Sequence, residues 1–159
     1  MSTKADFTEA QWELLCAGPA LAGIGVMVLD ASLVSDVPEL AAIAQKTSDG
    51  QARHGDNPLV QAILAELGRH DAKHIGPEGT TAEEVLTKLV AIDAILDAVC
   101  EPGEALVYRN FLFDVADAAA QAWGGFFGLG ERVSDEERAY LGKLKDILFR
   151  AAPSGAPAA

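Results

Sequence analysis

The sequence predicts an all-α protein, a single-domain helical bundle of about six helices, and three observations lead to this prediction. Apolar residues recur at intervals of three and four, which places them on one face of a helix. No segment alternates polar and apolar residues as a half-buried strand does. Half of the 159 residues are hydrophobic, which is enough for one core in a chain of about one domain.

Helix-start motifs give the order of the elements. In a capping box, a Ser, Thr or Asp and a Glu or Gln three residues later bond to the free N–H groups of the first turn. Such pairs are Thr8 with Gln11, Asp36 with Glu39, Thr81 with Glu84, and Ser134 with Glu137. Asn57-Pro58 and the breaker Pro102-Gly103 mark two further starts. The predicted helices cover 9–33, 37–48, 58–73, 82–100, 104–123 and 135–150.

The first predicted helix differs from the others because it is apolar nearly all round after Glu13. We therefore expect it to be central and covered by the other helices. Pro19 is expected to kink or divide it. Gly18, Gly23 and Gly25 each cost about 1 kcal/mol relative to alanine inside a helix, and close approach of a neighbouring helix would compensate. We assign 1–150 to one domain and predict a disordered tail over 151–159.

Charge and motif content limit the partners. A net charge of −12 argues against nucleic acid and anionic membrane surfaces as partners, because both require clusters of Lys and Arg. The longest uncharged run, Leu14 to Leu29, has 16 residues, and a membrane-spanning helix needs about 20. No basic signal-peptide region opens the sequence. Cys16 and Cys100 lie outside any metal-binding motif, so we expect a cytoplasmic protein with two buried, reduced thiols.

Carboxylates near the predicted helix junctions form a candidate cation site. A charge at Asp30 opposes the dipole of the preceding helix, at a cost of about 0.3–1 kcal/mol that a bound cation would offset. Oxygen ligands without sulfur or imidazole favour Mg²⁺ or Ca²⁺. The candidate ligands are Asp30, Asp36, Glu39, Asp117 and Glu137. Asp114 could approach the same site. A simpler interpretation also stands, in which these acids and Asp114 are helix caps or belong to a solvated face, and no EF-hand loop is present.

Catalytic motifs are missing from the sequence. His70 and His74 have the spacing of two metal ligands on one helix face, but we interpret them as part of a solvated helix end before Gly76-Pro77. The paired Glu-x-x-His motifs of a di-iron bundle are absent, as are the nucleophile-elbow, P-loop and dinucleotide-binding motifs. We therefore predict no enzymatic activity and no organic cofactor.

A glycine-rich loop over 124–130 carries three large apolar residues, Phe126, Phe127 and Leu129. Because this loop follows a helix rather than a strand, we do not expect it to bind phosphate. Its apolar side chains either plug the end of the bundle or form an exposed partner-binding site.

Two segments of the chain have a similar order of sequence features. Val34-Ser35-Asp36 recurs as Val133-Ser134-Asp135, each time before a predicted helix, which indicates either two helix–loop–helix halves or chance. The opening 7–12 and the segment 124–137 resemble a group of uncharacterised bacterial proteins, and the repeated order of acid, short loop and capped helix also resembles tellurite-resistance TerB-like domains. The resemblance implies an all-helical fold with acidic metal-binding positions at Asp30, Glu39 and Glu137. The chain departs from the TerB-like pattern where Leu29-Asp30-Ala31 replaces Ala-Asp-Gly.

Two functions follow from these predictions. The first is a non-catalytic interaction module, a stress-associated TerB-like protein that binds a protein partner or forms a homodimer. The second is a divalent-cation-binding protein that uses the carboxylates at the helix junctions.

Overall fold

The computed structural model describes residues 2–28, 53–54, 56–67, 81–124 and 135–150. These residues contain five α-helices, a short 3-10 helix over Lys4–Asp6 and no strand, so the all-α prediction is confirmed. The α-helices are α1 (Glu9–Met27), α2 (Pro58–Leu67), α3 (Ala82–Val99), α4 (Pro102–Gly124) and α5 (Asp135–Leu148). The second predicted helix, over 37–48, and the tail over 151–159 lie outside the described residues.

Helix starts follow the capping chemistry of the sequence. At α1, the Thr8 hydroxyl accepts from the Gln11 N–H and the Gln11 side chain accepts from the Thr8 N–H. Thr81 and Glu84 make the same reciprocal pair at α3. The start of α4 differs from the prediction of 104, because α4 begins at Pro102. Proline suits the first helical position, where its missing N–H would have no intrahelical partner.

The first helix is central, as predicted. α1 contacts each of the four other described α-helices, most extensively α4 and α3. Its buried residues lie on all sides and include Leu15, Leu21, Ile24 and Val26. α5 packs across α3 and α4, and α2 packs against α1 and α4. An amphipathic outer helix needs one apolar stripe, whereas an enclosed helix needs apolar residues all round, which is the pattern in α1.

A tyrosine of α4 compensates for a proline in the middle of α1. Of the two outcomes expected at Pro19, a kink or a division, the division does not occur, because α1 runs through Pro19 without a break. Pro19 has no N–H to donate to the carbonyl of Leu15, four residues earlier. The Tyr108 hydroxyl of α4 donates to that carbonyl instead, at 2.5 Å. Complete burial raises the pKa of Tyr108 well above its usual value, so the hydroxyl stays a protonated donor.

Two glycines of α1 allow tyrosines to approach closely, which confirms the predicted role of Gly18 and Gly25. A Cβ on Gly18 would lie 2.5 Å from the Tyr108 hydroxyl. A Cβ on Gly25 would overlap the ring of Tyr140 on α5. The helix-propensity cost of these glycines is therefore offset by packing of α4 and α5 onto α1.

A candidate binding cleft

An open cleft of about 490 Å³ lies between the start of α2 and the first turn of α4. This volume is within the range of about 300–1,000 Å³ that is typical of ligand sites. The lining residues are Arg53, His54, Asp56, Asn57, Pro58, Glu101, Gly103, Glu104 and Val107. They combine three carboxylates, one guanidinium and an imidazole with the apolar surfaces of a proline and a valine.

Two helix starts fix the walls of the cleft. The Asn57 side-chain oxygen accepts from the backbone N–H groups of Leu59 and Val60, at 3.0 and 3.1 Å, and so caps α2. On the other wall, the Ala105 N–H donates to the carbonyl of Glu101 at 2.9 Å, which begins the hydrogen bonding of α4. Because both walls are ends of packed helices, the described part of the cleft is formed by the packing of the helices themselves.

His54 and Asp114 join the cleft wall to α4. His54 Nε2 lies 2.9 Å from a carboxylate oxygen of Asp114, and the imidazole also packs edge-on against the buried ring of Phe111. Arg53 lies 4.0 Å from the same carboxylate oxygen. A carboxylate that orients a histidine is part of many nucleophile–base arrangements. The described cleft lining contains no Ser, Thr or Cys that would complete one.

Glu104 is a buried carboxylate, with 9% of its surface exposed. The Ser2 backbone N–H donates to both of its oxygens, at 3.0 and 2.9 Å. Glu137, in the first turn of α5, is also buried, at 5% exposed. Helical stripes of aliphatic side chains predict that the carboxylates stay outside in water, and this prediction is wrong for these two residues. Both lie in a first helical turn, where the helix dipole stabilises a negative charge.

The residues predicted to bind a metal are only partly described. Asp117 is partly exposed on α4, where its carboxylate accepts from the Gln121 amide at 2.6 Å. Within the described ranges, no three or more His, Cys, Asp or Glu side chains are grouped to hold a metal ion. Predicted site residues outside these ranges are Asp30, Asp36, Glu39, Phe126, Phe127 and Leu129. His70 and His74 also lie outside them. The junction site and the loop site stay predictions.

Arg109 forms an ion-pair cluster that the sequence analysis missed. Its Nε donates to Asp93 at 2.7 Å and its Nη2 donates to Asp97 at 2.5 Å. The two aspartates are one turn apart on α3, so a single guanidinium on α4 ties the two helices together. The spacing of Asp93 and Asp97 was the available signal, but it does not reveal which cation faces them.

Cys16 and Cys100 are free thiols, as expected, but both are half-buried rather than buried. Burial is the main reason that the pKa of Cys16 is raised to about 11, and the nearby Glu66 contributes.

In a Cys100→Ser variant, we expect iodoacetamide to alkylate Cys16 slowly at pH 7.5. The rate should keep rising towards pH 11, because the thiolate is the nucleophile. A rate that levels off near pH 9 would show an ordinary thiol.

Comparisons with known proteins give no family for the chain. No protein-family model, curated protein or solved structure matches it. These results leave the resemblance to TerB-like domains untested. Among the described helices, none combines the length and the apolar character needed to cross a membrane.

Proposed function

We propose that this chain is a non-catalytic helical interaction module that binds its ligand or partner in the cleft between α2 and α4. The observation that carries the proposal is the cleft itself, which combines a volume of about 490 Å³ with apolar and charged lining residues. Small ligand sites are usually preformed concave surfaces with a few converging polar groups. The proposal extends the interaction module expected from the sequence. TerB-like kinship and homodimer formation remain predictions beside it.

Two further observations support binding rather than catalysis. Asp114 lies on α4, outside the cleft lining, and its carboxylate contacts both His54 and Arg53. These two side chains therefore attach this wall of the cleft to α4. The lining supplies no hydroxyl or thiol nucleophile among the described residues. Divalent-cation binding at the junction acids has no comparable observation in its favour within the described ranges.

The proposal is tested by filling the cleft from Gly103. Gly103 lines the cleft and a Cβ there meets nothing within 4 Å, so Gly103→Phe adds a large side chain at the cleft without a clash at its Cβ. Gly142, on the exposed surface of α5, also has open space around a Cβ, which makes Gly142→Phe a matched control.

A fragment screen by ¹H–¹⁵N NMR supplies the measurement. We expect some fragments from a library of mixed charge to shift the amide signals of Asn57, Gly103 and Val107 in the full chain. Gly103→Phe should abolish the shifts of Asn57 and Val107, and Gly142→Phe should leave all three unchanged. The proposal fails when no fragment shifts these signals, or when the shifts persist in Gly103→Phe.

A further inference from the structure

We infer that the cleft recognises a neutral hydrogen-bond donor, an O–H or N–H group on an apolar skeleton, through Nδ1 of His54. The inference deepens the proposed function and rests on it. It starts from the contact between His54 Nε2 and the Asp114 carboxylate, which are 2.9 Å apart. His54 lines the cleft and Asp114 does not, so this contact occupies one ring nitrogen of a cleft residue from outside the lining.

The Asp114 carboxylate determines which nitrogen of His54 carries the proton. An ionised carboxylate only accepts hydrogen bonds, and a neutral imidazole has one N–H and one acceptor nitrogen. The N–H of His54 is therefore on Nε2, which donates to Asp114, and Nδ1 keeps its lone pair. A carboxylate on one ring nitrogen commonly fixes the tautomer of a histidine whose other nitrogen binds a ligand.

Nδ1 of His54 is an acceptor that the described fold leaves unused. It forms no hydrogen bond with any residue of the described ranges, since the contact with Asp114 is at Nε2. It is also not one of the fully buried polar atoms, and the His54 side chain is 16% exposed, so a ligand can reach it. The bond to Asp114 and the edge-on contact with Phe111 hold the ring in one orientation. The acceptor is therefore positioned before a ligand binds.

The surroundings of His54 favour a neutral donor over a charged group. Arg53 is next to His54 in the chain and lines the same cleft, so its positive charge disfavours a cationic donor at Nδ1. A carboxylate ligand has no proton to donate to the lone pair. Pro58 and Val107 supply apolar surface for the skeleton that carries the donor. A metal ion needs several ligands, and the described ranges contain no group of three.

Two matched pairs of probes test the inference: phenol with anisole, and indole with benzofuran. Within each pair the ring system is similar, and only the first member has a donor, an O–H in phenol and an N–H in indole. Each probe is titrated at pH 8 into the ¹⁵N-labelled full chain, and the amide signals of Asn57, Gly103 and Val107 give its Kd. In at least one pair, we expect the donor to bind about 3- to 10-fold more tightly, the net strength of one hydrogen bond.

The tautomer of His54 is measured without any ligand. A long-range ¹H–¹⁵N spectrum of the histidine side chains distinguishes protonated from unprotonated ring nitrogens. The chain has three histidines, and the signals that disappear in His54→Gln are those of His54. At pH 8 we expect a proton on Nε2 and none on Nδ1. A proton on Nδ1 overturns the inference, whatever the probes do.

His54→Phe identifies the acceptor. Phenylalanine keeps an aromatic ring beside Phe111 and removes both ring nitrogens. The two members of each probe pair should then bind about equally, and this ratio does not depend on how the substitution changes the overall affinity. Gly142→Phe adds the same side chain on the exposed surface of α5 and should leave the ratio unchanged. A ratio that persists in His54→Phe places the bond on another acceptor and overturns the inference.

The outcomes separate the inference from the proposed function. Equal binding within both pairs, or tighter binding of anisole and benzofuran, overturns the inference and leaves the proposed function standing. If none of the four probes and no library fragment shifts the cleft amides, both fail. The pair with the larger ratio indicates whether the ligand donates from an O–H or from an N–H group; either result supports the inference.

Discussion

Replacing Tyr108 by phenylalanine should lower the free energy of unfolding by about 1–3 kcal/mol, the cost of leaving a buried acceptor without its hydrogen bond. The Tyr108 hydroxyl supplies the bond that the Leu15 carbonyl lacks because Pro19 has no N–H. Phenylalanine keeps the ring in the core, so the loss would come from the hydroxyl alone. Urea unfolding followed by circular dichroism gives the two free energies.

A double-mutant cycle with Pro19→Ala isolates this hydrogen bond. Alanine at position 19 restores an N–H that can reach the Leu15 carbonyl along the helix. In that background, Tyr108→Phe should cost about 0.5 kcal/mol or less, because the carbonyl then keeps a partner. The comparison does not depend on how Pro19→Ala alone changes stability. An equal cost of Tyr108→Phe in both backgrounds would mean that the hydroxyl does not replace the missing helix bond.

The second large effect is expected at Gly25. Gly25→Ala gains about 1 kcal/mol of helix propensity but forces the ring of Tyr140 to move, at an overpacking cost of about 1–3 kcal/mol. We expect a net loss of up to about 2 kcal/mol. Gly142→Ala makes the same change at an exposed position with open space, and should raise the free energy of unfolding by about 0.5–1 kcal/mol.

Tyr140→Leu supplies the control for the Gly25 prediction. Leucine removes the hydroxyl and the ring atoms that a Cβ at Gly25 would overlap. In the Tyr140→Leu background, Gly25→Ala should therefore be neutral or stabilising. Two results would contradict the packing of α5 on α1 at this point. One is a loss at Gly25 that is unchanged by Tyr140→Leu, and the other is a gain at Gly25 equal to that at Gly142.

The fold was predictable where a local pattern carries the information. The capping residues Thr8, Asn57 and Thr81 fix where three helices begin, because the chemistry involves residues only two or three positions apart. Because the α1 segment is apolar on nearly all of its faces, the sequence correctly indicated an enclosed helix. The sequence could not decide whether Pro19 kinks or divides α1, because the group that compensates for it, Tyr108, is 89 residues away in the sequence and on another helix.

The cleft could not be predicted from the sequence for the same reason. His54 and Asp114 are 60 residues apart, and Ser2 and Glu104 are 102 apart, so no spacing rule relates the members of either pair. Glu104 carried one usable signal, since an acid two positions after a proline at a helix start belongs to the first turn. That signal indicates electrostatic stabilisation of the helix and does not indicate burial beside a cleft.

Amide hydrogen exchange of α1 tests the central claim most directly, namely that the other helices enclose α1 and thereby hold the cleft walls in place. We predict that the amides of Leu21, Ala22 and Ile24 exchange among the slowest in the chain, at rates set by global unfolding. The amides of Asp135 and Glu136, at the exposed start of α5, should exchange much faster. Exchange of these α1 amides at rates typical of an exposed helix would contradict an enclosed α1 and the binding cleft that depends on it.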